Sequence, residues 1–104
     1  MESFKVELLL DSFQVGEIPN LDELSEIFEI SRRTFERSLC REGTNFSTIR
    51  DKYLQRKSIQ LLADSNASVK EIAEQLNYAN SQNYIRSFKR WTGITPSRYR
   101  LAIS

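Results

Sequence analysis

The residues from Asn80 to Arg100, NSQNYIRSFKRWTGITPSRYR, decide the fold of this chain. Four apolar side chains follow the spacing of a half-buried helix: Tyr84, Ile85, Phe88 and Trp91. Gly93 suits the left-handed residue that ends such a helix, and Thr95 followed by Pro96 is typical of the start of another. The stretch therefore predicts a helix, a glycine stop and a second helix.

The first of these helices is rich in polar and basic residues on the side opposite its apolar positions. Its first turn is Ser-Gln-Asn, Arg86 follows about one turn later, and from Arg86 to Arg100 there are five basic residues and no acidic one. Amides and guanidinium groups hydrogen-bond to base edges in the major groove, while flanking cations bind phosphate. This composition favours insertion of the helix into a DNA major groove.

Length and composition restrict the class of protein. A chain of 104 residues suffices for one domain, and its three glycines and two prolines favour an all-α fold. Histidine is absent, so the usual catalytic base and metal ligand are missing, and we expect no enzyme activity, metal or cofactor. There is no apolar run of the roughly 20 residues that a membrane span needs and no signal-peptide pattern. The single cysteine, Cys40, suits a reducing cytosol, so we expect a cytoplasmic protein in which Cys40 is a small packing residue.

The charges are distributed unevenly, although the net charge is only +1. Residues 1–30 contain one basic and eight acidic residues, whereas residues 31–104 contain fourteen basic and six acidic ones. This asymmetry predicts a cationic face for nucleic acid, and an acidic end that faces solvent or a protein partner.

Before the deciding stretch the chain predicts five further helices, so seven are expected in all. The first is about three turns long and ends at Gly16 and Pro19. Its predicted buried stripe is Phe4, Leu8, Leu9 and Phe13. The fourth helix is long, from Thr44 or Asn45 to about Ala63, and spans about 28 Å at 1.5 Å per residue.

Short helices with clear start signals lie on both sides of the long one. Asn20 and Ser68 are each followed three residues later by glutamate, which is the capping-box pattern for the second and fifth helices. Ser31 is a good N-cap for the third helix, which closes at Gly43, and Asn80 caps the sixth.

The two pairs of short helices repeat one another. Leu24, Ser25 and Phe28 match Ile72, Ala73 and Leu76 at an offset of 48, and Phe35, Arg37 and Leu39 match Tyr84, Arg86 and Phe88 at 49. Each pair predicts a helix-turn-helix, so the single domain divides into residues 1–43, a linker helix over 44–64 and residues 65–104. The linker is close to the roughly 34 Å between successive major-groove faces, so one monomer is expected to grip two adjacent grooves.

These motifs resemble the DNA-binding domain of the AraC/XylS family of bacterial transcription regulators. The resemblance covers essentially the whole chain and is most specific in IRSFKRWTGITPSRYR, Ile85 to Arg100. SRRTFERSLCREG, Ser31 to Gly43, and SVKEIAEQLNY, Ser68 to Tyr78, support it. It implies an all-α, homeodomain-like architecture in which the third and sixth helices are the recognition helices of two helix-turn-helix subdomains. The chain is also similar to a subgroup in which this domain follows a larger N-terminal effector-sensing domain, so we expect the chain to be a fragment of a longer regulator. Family members that consist of the DNA-binding domain alone are the alternative.

The chain departs from the family pattern in both turns. The first turn usually carries a glycine where this chain has Glu29, and the second has Asn77 and Tyr78 in place of the more usual Gly-Phe. A left-handed residue other than glycine costs about 1 to 2 kcal/mol, which allows the first turn to take another geometry.

The resemblance assigns roles in DNA contact position by position. The base-reading candidates are Arg32, Arg33, Glu36 and Arg37 in the third helix and Ser81, Gln82, Asn83 and Arg86 in the sixth. The phosphate candidates are Ser31, Asn80, Lys89, Arg90, Thr95, Arg98 and Arg100. Glu36 either accepts from a cytosine amino group or orients Arg32 or Arg33 as a helical neighbour. Trp91 and Tyr99 are expected in the core rather than as stacking groups for single strands.

The function expected from these observations is sequence-specific binding of double-stranded DNA by a transcription activator or repressor. RNA polymerase and the effector-sensing domain are the expected protein partners. Two alternatives stay open: an all-helical interaction module whose arginine faces bind an acidic partner, and an accessory helical domain of a DNA-repair enzyme. The absence of a reactive-cysteine motif disfavours repair chemistry here.

Overall fold

The computed structural model describes residues 2–11 and 18–104, which form seven α-helices and no strand. The all-α fold and the number of helices are therefore as predicted. The helices are α1 (Glu2–Asp11), α2 (Leu21–Ile27), α3 (Arg32–Arg41), α4 (Phe46–Asp64), α5 (Val69–Gln75), α6 (Ser81–Thr92) and α7 (Pro96–Ile103).

The chain divides into two compact units, unit 1 over residues 1–53 and unit 2 over residues 54–104. Within unit 1, α3 packs against α1 and α2, and within unit 2, α6 packs against α5 and α7. The predicted recognition helix is thus the shared neighbour of the other helices in each unit.

Six helices begin where a polar side chain caps them, because that oxygen satisfies a backbone N–H left free by the first turn. In each case the side chain accepts a hydrogen bond from the backbone N–H three residues later. The six caps are Asn20, Ser31, Asn45, Ser68, Asn80 and Thr95, which confirms the predicted helix starts.

Most of the buried apolar side chains lie at positions that the helical periodicity of α2 to α6 predicts, and Val6 and Leu10 of α1 and Pro96 of α7 are buried as well. Ile27 of α2, which the same periodicity places on the buried side with Leu24 and Phe28, is 49% exposed, so the prediction for Ile27 is wrong.

Helix α4 contributes five buried side chains: Ile49, Tyr53, Leu54, Ser58 and Leu62. The Ser58 hydroxyl and the Tyr84 hydroxyl share a hydrogen bond inside unit 2, so neither buried polar group is left without a partner. Burial raises the pKa of Tyr84, and the bond to Ser58 opposes this only in part.

Helix α1 turns a different face inward from the predicted one. Phe4 is 60% exposed and Leu8 is 57% exposed, whereas Val6 and Leu10 are fully buried. Leu9 is half-buried. Because apolar residues occur all round this helix, periodicity alone could not choose the buried face.

A tertiary contact fixes the rotation of α1 instead. The backbone N–H and the hydroxyl of Ser3 donate to the Glu42 carboxylate at the end of α3, at 3.2 and 2.8 Å. Residues 3, 6 and 10 then share one helix face. Phe13 and Gly16, which were predicted to extend and end this helix, lie outside the described residues. Cys40 is exposed, so the expectation that it packs in the core is wrong.

Candidate nucleic-acid interface

The turn of each helix-turn-helix has the same hydrogen-bonding pattern. In unit 1, Glu29 is left-handed with φ 57°, its N–H donates to the Glu26 carbonyl at 3.1 Å, and the Ile30 N–H donates to the Ser25 carbonyl at 3.1 Å. This is a Schellman motif, which normally has glycine at the left-handed residue. Glu29 takes that conformation despite its side chain, so the first turn keeps the usual geometry and bears the strain.

Unit 2 repeats this turn 48 residues later. Asn77 is left-handed with φ 68°, its N–H donates to Glu74, and the Tyr78 N–H donates to Ala73, both at 3.0 Å. An aromatic side chain packs beside each turn: the Phe28 ring, just before Glu29, lies 5.4 Å from the Phe35 ring in unit 1, and the Tyr78 ring, just after Asn77, lies 5.6 Å from the Tyr84 ring in unit 2. The backbone hydrogen bonds of the turn are therefore duplicated, whereas the aromatic residue beside it occupies a different position in each unit.

Helix α3 buries one face and exposes arginines on the other. Phe35 and Leu39 are buried, while Arg33 and Arg37 are exposed and one helical turn apart. The helix has a basic outward surface held in place by two apolar side chains. Of the four base-reading candidates in this helix, Arg32 and Glu36 are hydrogen-bonded to each other, whereas within residues 2–11 and 18–104 the side chains of Arg33 and Arg37 make no hydrogen bond or ion pair.

Arg32 is restrained by two carboxylates. Its Nη1 donates to the Asp22 carboxylate on α2 at 3.2 and 3.4 Å, and its Nε donates to Glu36 Oε1 at 3.2 Å. The Glu36 hydrogen bond and the Asp22 charge raise the pKa of Arg32. Of the two roles open to Glu36, the orientation of Arg32 is the one observed. The contact of Asp22 with Arg32 was not predicted from the sequence, because Asp22 lies ten residues away on another helix.

Helix α6 exposes a polar first turn followed by arginine. Tyr84 and Phe88 are buried, Gln82 is exposed, and Ser81 and Asn83 are half-buried. Arg86 is exposed, and its Nη2 donates to Asn83 Oδ1 at 3.0 Å. The amide thus holds the arginine that follows it by one turn.

The phosphate candidates fall into two groups. The cations Lys89, Arg90 and Arg98 are exposed. The cap side chains of Ser31, Asn80 and Thr95 already accept backbone N–H groups of their own helices, at 3.1, 2.9 and 3.3 Å. Any phosphate contact at these caps therefore relies on other donors of the first turn.

The prediction that Arg100 binds phosphate is wrong. Its guanidinium donates to four carbonyl oxygens at and after the end of α4: those of Leu61, Leu62, Ser65 and Ala67, at 3.4, 3.2, 3.3 and 2.6 Å. The Leu61 carbonyl also accepts the Ser65 N–H at 3.2 Å, whereas the other three lie at or beyond the helix end, where the helix supplies no donor. A cation at a helix C-terminus is also favoured by the helix dipole. Arg100 therefore caps α4.

Trp91 at the end of α6 and Tyr99 in α7 pack against a neighbouring ring rather than standing free in solvent. Trp91 and Tyr99 are half-buried, with ring centroids 6.4 and 5.6 Å from the Phe88 ring. Both rings meet Phe88 edge to face, which is a preferred geometry for aromatic pairs.

Comparison with known proteins decides the family. A family model described as a helix-turn-helix domain matches residues 24–102. The chain belongs to the AraC-type helix-turn-helix family. The match runs from inside α2 to α7 and so includes both turns and both recognition helices of this AraC-type domain.

Relatives and solved structures agree with this assignment. YtdP of Bacillus subtilis, an uncharacterized HTH-type transcriptional regulator, is 39% identical over 93% of this AraC-type domain but only 11% of its own length. The transcriptional regulator CdpR from Pseudomonas aeruginosa has 29% identity and a TM-score of 0.90 over 96% of this chain and 31% of that one. The DNA-binding domain of AdpA, solved in complex with a target DNA, has 24% identity and a TM-score of 0.80, with 97% and 91% of the two chains covered.

The AraC-type domain is much shorter than its curated relatives. It spans 11%, 26% and 29% of the lengths of three of them.

No helix within residues 2–11 and 18–104 is long and apolar enough to cross a membrane. In the same residues there is no group of three side chains among His, Cys, Asp and Glu that could hold a metal ion.

Proposed function

We propose that this chain is a non-enzymatic, sequence-specific domain for double-stranded DNA in a bacterial transcription regulator that acts in the cytoplasm. The observation that carries the proposal is the duplicated helix-turn-helix, in which α3 buries Phe35 and Leu39, α6 buries Tyr84 and Phe88, and both helices expose arginine. Membership of the AraC-type family supports the same function.

Recognition of bases is assigned to the outward faces of α3 and α6. Arg33, Arg37 and Arg86 supply guanidinium groups, for which the usual base partner is guanine. The amides Gln82 and Asn83 pair with adenine, and Ser81 and Glu36 lie beside these readers on their helices. The backbone is bound by Lys89, Arg90 and Arg98 and by the first turns after Ser31, Asn80 and Thr95.

We infer that α3 and α6 enter two adjacent major-groove segments. The length of α4 supports this, because 19 residues of unbroken helix extend about 28 Å at 1.5 Å per residue. Successive major-groove faces are about 34 Å apart. A footprint of the bound protein tests the inference, since protection of only one groove segment would refute it.

Selection of binding sites from random duplex DNA, followed by a salt titration, tests the proposed function itself. With about six phosphate contacts, the affinity should fall by roughly a thousandfold between 50 and 200 mM salt. A selected consensus together with this slope supports sequence-specific binding. Salt-dependent capture of acidic protein without duplex binding would instead favour the interaction-module alternative.

The partners proposed for the longer protein are an effector-sensing domain N-terminal to this chain and RNA polymerase, which the regulator would activate. The several-fold greater length of the curated relatives supports the first. The acidic surface of α2 supports the second, because Ile27 there is 49% exposed beside acidic residues.

Ile27→Ala should reduce transcription without changing operator affinity, whereas the control Leu101→Ala, at an apolar position that is 76% exposed, should change neither. Equal transcription from both variants would exclude this surface.

A further inference from the structure

The ion triad Asp22–Arg32–Glu36 joins the two helices of the first helix-turn-helix. Arg32 is the first residue of α3, Asp22 lies in the first turn of α2, and Glu36 lies one turn further along α3. All three side chains are at least half exposed, at 57%, 68% and 52%, and two of them belong to α3, the helix that carries Arg33 and Arg37.

The triad uses the atoms with which Arg32 would bind DNA. A guanidinium offers two pairs of donors, or forks, for a bidentate contact: Nε with Nη2, and Nη1 with Nη2. Nε is bonded to Glu36 and Nη1 to Asp22, so each fork already has one nitrogen engaged by a carboxylate. A bidentate contact to guanine or phosphate would therefore compete with one of these carboxylates for the guanidinium group.

Unit 2 has no ion triad at the corresponding positions. The internal repeat aligns Asp22 with Lys70 and Arg32 with Ser81, and aligns Glu36 with Ile85. Lys70 and Ser81 line an open cleft of about 220 Å³. The bridge between the two helices of the motif is therefore a property of unit 1 and not a requirement of the fold.

We propose that Asp22 is a specificity-determining residue that holds Arg32 away from DNA and leaves base selection in unit 1 to Arg33 and Arg37. This inference rests on the DNA-binding function proposed above. A long cation at the start of a recognition helix would otherwise find phosphate on any sequence, because phosphate contacts carry no sequence information. Asp22 and Glu36 together satisfy that cation within the protein.

The isosteric substitution Asp22→Asn tests the proposal in the full chain. The freed guanidinium should gain one phosphate, which steepens the plot of log affinity against log salt for mixed-sequence duplex by about 0.9. The same contact raises the affinity for mixed duplex about eightfold at roughly 0.1 M salt. The affinity for the selected site should increase less, because base contacts fix the position of α3 on that DNA. The ratio of specific to non-specific affinity should therefore fall.

Two further variants separate this mechanism from a general effect of charge. Glu26→Gln removes one negative charge from the same exposed surface of α2, and its salt slope should equal that of the wild type. Asp22→Asn combined with Arg32→Ala should have the slope of Arg32→Ala alone. Circular dichroism of each variant verifies that the helices are retained.

The outcomes are distinguishable. A steeper slope for Asp22→Asn that disappears without Arg32 supports the proposal. A slope equal to that of Glu26→Gln, or a change that persists without Arg32, overturns it while leaving DNA binding intact. A wild-type protein that binds no duplex at any salt concentration would overturn both this inference and the proposed function.

Discussion

Arg100→Ala should destabilise the protein strongly while leaving the salt dependence of DNA binding unchanged. The guanidinium makes two well-formed bonds, from Nη1 to Ala67 O at 2.6 Å and from Nε to Leu62 O at 3.2 Å. At about 1.5 kcal/mol for each charge-assisted bond, the loss is about 3 kcal/mol. The two longer contacts, to Leu61 and Ser65, are given no energy in this estimate because 3.4 and 3.3 Å are near the limit of a hydrogen bond.

Urea and thermal unfolding provide the measurement. For a domain of this size, about 3 kcal/mol lowers the midpoint temperature by roughly 12 to 24 °C. Arg100→Lys keeps the charge but offers a single ammonium in place of a planar fork, so about half of the loss should remain.

Arg98→Ala is the matched control on the same helix. Arg98 is exposed, so its removal should change the free energy of unfolding by less than about 0.5 kcal/mol. It should, however, reduce the salt slope of DNA binding by about 0.9. If Arg100→Ala lost salt dependence and kept its stability, the assignment of Arg100 as the cap of α4 would be refuted.

Three other predictions follow from single contacts. Burial raises the pKa of the Tyr84 phenol, so above pH 10 the tyrosine of the unfolded chain ionises first and the protein loses stability; Tyr84→Phe should remove this part of the loss. The same substitution leaves the Ser58 hydroxyl without its partner and should lower the free energy of unfolding by about 1 to 3 kcal/mol. Urea titrations at several pH values measure both effects. Glu29→Gly should raise the free energy of unfolding by about 1 kcal/mol, because a left-handed glycine carries no side-chain strain; an unchanged urea midpoint would contradict this. Arg86→Ala should relax base preference at one position by about 1 to 3 kcal/mol, whereas Lys89→Ala should weaken all duplexes alike, as measured by competition binding.

Local signals in the sequence were sufficient for the boundaries of most helices. Asn20, Ser68 and Asn80 each bond to a backbone N–H three residues away, so the interaction that starts the helix lies within a window that sequence reasoning can inspect. Gly93 likewise takes the left-handed conformation, with its N–H bonded to the Lys89 carbonyl at 2.7 Å. The fold class followed from these local interactions and from the internal repeat.

The errors occurred where long-range contacts decide the outcome. The buried face of α1 depends on the bond between Ser3 and Glu42, which are 39 residues apart. The role of Arg100 depends on carbonyls 33 to 39 residues earlier in the chain. A basic residue near other basic residues has the same appearance in sequence whether it binds phosphate or caps a helix, so composition could not distinguish the two roles.

The separation of charge between the units bears on how the protein binds DNA. Residues 1–53 contain seven basic and eleven acidic residues, a net charge of −4, whereas residues 54–104 contain eight basic and three acidic ones, a net charge of +5. The salt slope counts phosphates that are contacted, not net charge, because it reports the counterions released from DNA. The negative total of unit 1 is therefore compatible with reading by Arg33 and Arg37, because the acidic residues of the triad, Asp22 and Glu36, are paired with Arg32. Unit 2 needs no such arrangement, and its variants should account for most of the measured slope.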